Sequence, residues 1–349
     1  MNKISLLASL FFSFSCALAQ EKTPTNIILM IGDGMGLTQI SAGMYFNGNK
    51  TSLENFPVVG LSKTHSSNAL VTDSAASGTA MASGVKTLNG VVGIGSKNQY
   101  PKSILDLCNE KGYKTGLIST SSIVHATPAS FYAHVDSRRK YQEIALQLST
   151  GVVDYFIGGG ENHFNKRKDK RNLIKEMTEY DIVSSLSKFD KSESKKTGFF
   201  TNRDEPNRIL NGRLPLDRAV KSILRKFDRD QKPFFLMVEG SQIDWGGHAN
   251  ELEYVVSEFN DFDVAIETVL DYTVEHPNTL VIVTADHETG GLSLPKGDIK
   301  TMEPEAIFSS LGHTATMVPV FSKGPSALLF SGIYDNTEIF KKMLSVLNK

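Results

Sequence analysis

The chain has 349 residues, 40% of them hydrophobic, with 37 Lys and Arg against 38 Asp and Glu and a formal net charge of -1. That is ample for a large buried core, and it excludes the strongly positive field of a protein whose main partner is nucleic acid. A globular enzyme or binding protein is the starting expectation. The first segment, "MNKISLLASLFFSFSCALAQ", has a short basic start, an apolar stretch and Ala17-Leu18-Ala19 before Gln20. This is the layout of a secretory signal peptide, so residues 1–19 read as a leader and 20–349 as a single exported domain, periplasmic or secreted. A lipid anchor at Cys16 is the weaker alternative, because the residues before it are a poor lipidation signal. No later apolar run is long enough to span a bilayer. The chain has two cysteines, Cys16 and Cys108, so the mature protein keeps one thiol and no internal disulfide.

In chain order, "NIILMIGDG" reads as a buried strand and the small-residue run after Ser74 as a helix. "PKSILDLCNEKG" follows as a helix, "KTGLIST" as a strand, "YQEIALQLSTG" as a helix and "VDYFIGGG" as a strand. "NHFNKRKDKRN" and "KFDKSESKKTGFFTNRDEPNR" carry mixed charge and read as solvated surface insertions. The alternation resumes with helix "LDRAVKSILRKF", strand "FFLMVEG", helix "VVSEFNDFDVAIETVLDYTVE", strands "TLVIVTADH" and "VPVFSKG", and a closing helix "NTEIFKKMLSVL". Strands alternating with helices predict an α/β fold around a mainly parallel sheet.

Acids follow several of these strands. Asp33 follows "IILMIG", Glu239 and Asp244 follow "FFLMV", and Asp286-His287 follows "TLVIVTA". In open α/β sheets the ligand crevice lies beyond the carboxyl ends of the strands, and anions crowded there need positive partners. A mixture of Asp and His suits zinc, and an all-oxygen set suits magnesium. Any one of these acids alone would read as a cap or a surface residue; four placed alike do not. In "LVTDSAASGTAMASGVKT", Ser74 opens a helix whose free N–H groups attract phosphate, and "ASFYAHVDSRR" supplies arginines for a bidentate clamp. Together these point to phosphoryl transfer.

The strings "IGDGMG", "VTDSAAS", "HATPASFYAHVDSR", "VEGSQIDWGGH", "TADHETGG" and "GHTAT" stand in an order that resembles the alkaline phosphatases, specifically the compact bacterial type, over nearly all of the mature chain. The resemblance implies a central, mainly parallel β-sheet flanked by helices on both faces, with the crown insertion of larger relatives reduced or absent. It also implies hydrolysis of phosphate monoesters through a covalent phosphoserine at Ser74, favoured at alkaline pH, by a homodimer. Two zinc ions and one magnesium per subunit are implied with it. Asp244, His248 and His313 would hold one zinc; Asp33, Asp286 and His287 would hold the second, with Ser74 at its open position. Magnesium would be held by Thr127 and Glu239, with Asp33 as a bridge. Arg138 would grip two non-bridging phosphate oxygens, leaving Arg139 at the surface. Asp244 and His248, spaced D-x-x-x-H, share a side if the segment is helical, and the glycines between them are expected to allow close approach to metal. His65, His134, His163 and His276 match no ligand position.

Two positions depart from the longest-studied bacterial form. His125 stands where that form has aspartate and Trp245 where it has lysine, which opens the third site to zinc or cobalt and bears on phosphate affinity. Two rival functions remain at this level. A phosphodiesterase or sulfatase would keep the zinc ligands without the Thr127, Glu239 and Arg138 set. An exported metal or phosphate binder could use the same anions but has no need of Ser74.

Overall fold

A computed structural model describes residues 25–348. The leader expected over residues 1–19, Cys16 and the start of the domain expected from residue 20 lie outside the described residues. The strands are β1 (Asn26–Gly32), β2 (Val58–Lys63), β3 (Lys114–Ser122), β4 (Tyr155–Gly159), β5 (Asp181–Val183), β6 (Thr197–Phe200) and β7 (Phe234–Gly240). They continue with β8 (Thr279–Thr284), β9 (Glu288–Thr289), β10 (Leu292–Asp298), β11 (Glu303–Phe308), β12 (His313–Thr314), β13 (Val318–Lys323) and β14 (Gly332–Asp335). Ten of them form one sheet in the order β14-β2-β13-β8-β1-β7-β3-β4-β6-β5. Within it β13 runs antiparallel to both β2 and β8, and the other pairings are parallel.

Strand β1 sits at the middle, between β7 and β8, and these three are buried at nearly every residue. A strand covered on both faces has no polar side to present, which is why their sequences are continuous apolar runs rather than alternating ones. Ile27, Leu29 and Ile31 face one core, shared with Ile104, Leu105 and Met343 from helices on that side. Ile28 and Met30 face the other, shared with Ile223, Phe227, Phe259 and Ile266. Each such side chain contributes about 1.5–3 kcal/mol on full burial. The helix Leu252–Glu275 presents Val255, Phe259, Phe262, Ile266 and Val269 to this second core, a spacing of three and four that keeps them on one stripe. It ends at His276, just before Pro277, as the restriction on residues preceding proline requires.

The charged stretch 188–208 is not simply a solvated insertion. Its Thr197–Phe200 segment is β6, hydrogen-bonded between β4 and β5, with Thr197 fully buried. The loop beyond it reaches inward too: Glu205 Oε2 accepts from the Ser122 N–H at 2.6 Å, and the carbonyls of Pro206 and Asn207 accept from Gln242 Nε2 at 3.1 Å. Burial of "TGFF" on the sheet outweighs the charge of its flanks. The segment "NHFNKRKDKRN" contains the short helix Asn162–Asn165, with Phe164 buried beneath an otherwise open face. Apart from the main sheet, β structure among the described residues is confined to the hairpin β10–β11, the pair β9–β12 and an isolated bridge between Val92 and Val135, in keeping with a reduced crown.

Candidate active site at the carboxyl edge of the sheet

Asp33 follows β1 directly, Glu239 lies near the end of β7, and Asp286 and His287 lie just past β8, so three adjacent parallel strands deliver their acids to one edge. Thr127 arrives on the short helix Ala126–Ala129 that follows β3. Asp244 and His248 sit on the helix Gln242–Ala249, whose start directly follows β7, and the i, i+4 spacing sets Asp244 Oδ1 3.3 Å from His248 Nε2. Antiparallel pairing of β12 with β9 brings His313 across, with its Nε2 3.1 Å from His248 Nε2 and 3.5 Å from Asp244 Oδ1. The outer nitrogens of both rings are occupied: His248 Nδ1 lies 2.6 Å from the Leu311 carbonyl and His313 Nδ1 2.9 Å from that of Thr72. Nδ1 therefore carries the proton, and both Nε2 lone pairs point inward.

The glycines in "DWGGH" serve helix packing rather than approach to metal. A Cβ on Gly246 would lie 2.7 Å from the backbone N of Val255, and one on Gly247 would lie 2.9 Å from the carbonyl oxygen of Thr289. They let the ligand-bearing helix close against its neighbours.

Ser74 is the first residue of the helix Ser74–Ser83, but it is not the cap. Asp73 caps it, its Oδ1 accepting from Ala76 N at 3.0 Å. That leaves the Ser74 hydroxyl free to face inward, 3.3 Å from His287 Nε2. The same nitrogen is 3.2 Å from Asp286 Oδ2 and 3.4 Å from Asp33 Oδ1. Arg138 donates from Nη1 to Asp73 Oδ2 at 3.0 Å, and its Nη2 lies 3.4 Å from His125 Nε2, so the guanidinium stands beside Ser74's neighbour. Arg139 is exposed. His125 faces Trp245 edge-on, with ring centroids 6.2 Å apart.

Three groups bring ligand atoms within 4.8 Å of one another: Asp244 with His248 and His313, Asp33 with Asp244 and His287, and Asp33 with His125 and Glu239. Several polar atoms at this edge make no hydrogen bond, although His287 Nε2 lies near two of them. Both carboxylate oxygens of Asp33, Asp286 Oδ2, Glu239 Oε1, Thr127 Oγ1 and His125 Nδ1 are buried and unmatched. Buried polar atoms are ordinarily satisfied, so inward-facing orphans of this chemistry fit cations. Ser119 Oγ, at 2.6 Å, holds the other oxygen of Glu239.

Electrostatics agree with this reading of the donors. Burial pushes the Asp33 carboxyl well above its usual range, and Asp286, Asp244 and Glu239 add to the effect against Arg138. Burial likewise raises Glu239 to about 7 despite hydrogen bonds from Ser119 and Ser241. For Asp286, burial is outweighed by the adjacent His287, which takes it down to about 2. His287 is raised in turn, Asp286 overcoming the burial that would lower it. Burial and then His287 lower His313 to about 4, while burial and then Arg138 lower His125 to about 3, so both rings are neutral and able to ligate.

The residues singled out in the sequence lie at or beside this edge, but the clusters differ from the expected sets: Asp244 stands with Asp33 and His287 in place of Asp286, and His125 stands with Asp33 and Glu239 in place of Thr127. His65, His134, His163 and His276 take other partners: Asp335, the Pro101 carbonyl, the Tyr141 ring and the Tyr272 ring. Ser119, Asp73 and Thr289 were not singled out. Ser119 carries no signal of its own, being one of several serines in "ISTSS", whereas Asp73 and Thr289 sit inside strings already noted, "VTDSAAS" and "TADHETGG".

The profile of the alkaline phosphatase family matches residues 24–307. Alkaline phosphatase 3 of Bacillus subtilis is 33% identical, covering 99% of this chain and 96% of its own. The alkaline phosphatase of Escherichia coli is 29% identical over 94% of this chain and 87% of its own. The solved alkaline phosphatase of the Antarctic bacterium TAB5 superposes with a TM-score of 0.90 at 43% identity, covering 94% of this chain and 99% of that one. Two variants of that enzyme, with a histidine replaced by glutamate or by aspartate, are described with magnesium in the M3 site. On the match of its residues 24–307 and on relatives aligned nearly end to end, the chain belongs to the alkaline phosphatase family of hydrolases.

Proposed function

We propose that this phosphomonoesterase works through a phosphoserine at Ser74. In the first step the Ser74 Oγ attacks phosphorus in line, the Oγ–P bond forms, and the bond to the leaving alcohol breaks with its electron pair on the departing oxygen. The hydroxyl proton passes to solvent base and the alkoxide leaving group regains one from water, so activity is expected to rise toward alkaline pH. In the second step water attacks from the opposite side and gives up a proton to solvent base, the Oγ–P bond breaks with its electron pair on Oγ, which regains a proton from water, and inorganic phosphate leaves. Arg138, already placed by Asp73, presents two nitrogens to the non-bridging oxygens.

The donor chemistry and the family support two zinc ions and one magnesium as cofactors, with zinc or cobalt as alternatives at the third site. Asp244, His248 and His313 would hold one zinc, and Asp33, Asp286 and His287 the other, facing Ser74. Thr127, Glu239 and Asp33 would hold magnesium, with His125, which clusters with Asp33 and Glu239, taken here as the match of the histidine replaced in the TAB5 variants. When bound, such ions acidify the hydroxyl and the attacking water and stabilise the leaving oxygen. A homodimer is supported by the family and by Leu70, Val71 and Leu88, which are exposed on neighbouring segments joined by the Asn89 Nδ2 hydrogen bond to the Val71 carbonyl. Export is supported by the leader-like first 19 residues, and no helix among the described residues is long and apolar enough to cross a membrane.

The observation that carries the mechanism is the Ser74 hydroxyl 3.3 Å from His287 Nε2, where the donor sets meet. Acid quench of turnover on a labelled monoester, followed by peptide mapping, is expected to place phosphate on Ser74. Ser74→Ala is expected to abolish the label and most turnover; label on another residue would overturn the assignment. A chromogenic monoester assayed with and without chelator tests the metals in parallel.

A further inference from the structure

Thr289 occupies the gap between the two proposed zinc sets and belongs to neither. Its backbone is fixed independently of its hydroxyl. Its N–H donates to the Gly34 carbonyl at 3.2 Å, and its carbonyl accepts from Gln39 Nε2 at 2.8 Å, a side chain that also donates to Glu288 Oε1 at 2.6 Å. Glu288 is anchored in turn by the N–H groups of Gly291 and Leu292 and by the Thr314 hydroxyl. Three segments meet on this residue, and a Cβ on Gly34 would stand 2.9 Å from its Oγ1.

The fully buried hydroxyl has two partners, Asp244 Oδ1 at 2.5 Å and His287 Nδ1 at 3.2 Å. A hydroxyl has one proton to give. The short contact to a carboxylate takes it, which leaves only lone pairs for the imidazole, so Nδ1 of His287 must carry its own proton and donate. When a metal is bound, Nε2 is then the nitrogen of His287 left to offer a lone pair, on the side of Ser74, Asp33 and Asp286.

We propose that Thr289 is a positioning residue that couples the two zinc sets: one hydroxyl orients Asp244 of the first and fixes the tautomer of His287 in the second. The proposal rests on the reading of those sets as zinc sites. Its consequence is that losing this hydroxyl weakens both sites together, although Thr289 ligates neither metal.

The test separates hydroxyl from packing. Thr289→Val keeps the methyl that packs on Gly247 and loses the hydroxyl, and Thr289→Ser does the reverse. Metal-free full-length protein is titrated with zinc in competition with a chromophoric chelator, reading stoichiometry and stepwise affinity, with the melting temperature of each metal-free variant as a control. Thr289→Val is expected to weaken both zinc steps by about tenfold or more, and Thr289→Ser to stay within about threefold of wild type. Unchanged affinities in Thr289→Val, weakening of one step only, or a larger loss in Thr289→Ser than in Thr289→Val would each overturn the coupling while leaving the zinc sites standing. Failure of the wild type to take two zinc ions would overturn the zinc sites themselves, and the coupling with them. Should Thr289→Val not fold, Thr289→Ala lacks the hydroxyl without setting a methyl against the polar pair, and the same comparison with Thr289→Ser decides.

Discussion

Arg138 and His125 stand in contact, and each sets a testable preference. A phosphate diester carries one charge on phosphorus and lacks one of the peripheral oxygens that a forked guanidinium can hold. Arg138→Ser is therefore expected to cost roughly 100-fold in kcat/KM on a monoester and much less on a diester, measured on paired chromogenic substrates. Equal losses would remove the clamp role. His125 is neutral, and an imidazole is a softer ligand than a carboxylate, so His125→Asp should raise the magnesium-to-zinc ratio retained after dialysis against both metals. An unchanged ratio would assign the ring to packing against Trp245. Because His125 Nε2 lies 3.4 Å from Arg138 Nη2, an aspartate there also gains a charged partner in the guanidinium. Weaker product inhibition by phosphate is expected in the same variant. The identities of these residues were legible in the sequence through resemblance to the family. Arg138's resting contacts were not, since nothing in "AHVDSRR" says that Asp73, 65 residues earlier, would hold it.

The helix Gln242–Ala249 is the element on which the metal chemistry hinges. It is held at its start by Gln242, whose amide donates to the carbonyls of Thr120, Pro206 and Asn207 and whose oxygen accepts from Tyr254 OH at 2.7 Å. Further along, Gly246 packs on the backbone of Val255. Gly246→Ala is expected to cost about 1–3 kcal/mol of stability by overpacking, and to lower zinc retention, because the same displacement moves Asp244 and His248. Thermal melts and metal content measured together check it; a stability loss with full zinc occupancy would show that the helix moves without its ligands. The long buried strands and amphipathic helices were readable because one residue pattern repeats along each. Strand β6 was not, since four residues, three of them buried, inside a charged stretch give no usable period. The edge strands β5 and β14 and the exposed hairpin β10–β11 are set by pairing with neighbours rather than by their own composition. The role of Gly246 and Gly247 was misread for the same reason: it depends on what lies opposite.

At the scale of the molecule, Asp33, Glu239, Asp244 and Asp286 lie at one buried edge, with the carboxyls of Asp33 and Glu239 pushed up in pKa by that setting. Ions that bind the folded state alone stabilise it by mass action, about 4 kcal/mol at a thousandfold excess over Kd. Chelator treatment is thus expected to lower the melting temperature by on the order of 10 °C, and zinc with magnesium to restore it. An unchanged melting curve would count against structural coupling of the metals. The place of β1 between β7 and β8 has a consequence for the order of events in folding. Its partners begin at Phe234 and Thr279, more than 200 residues downstream in each case, so this central strand is made long before either of its neighbours. Contacts so distant in sequence make folding slow, and β1 itself stays without both sheet partners until Thr279–Thr284 has been made. A chain arrested before Thr279 would expose one whole side of β1 as a bare edge, and such fragments are expected to aggregate or be degraded rather than accumulate as a partial enzyme.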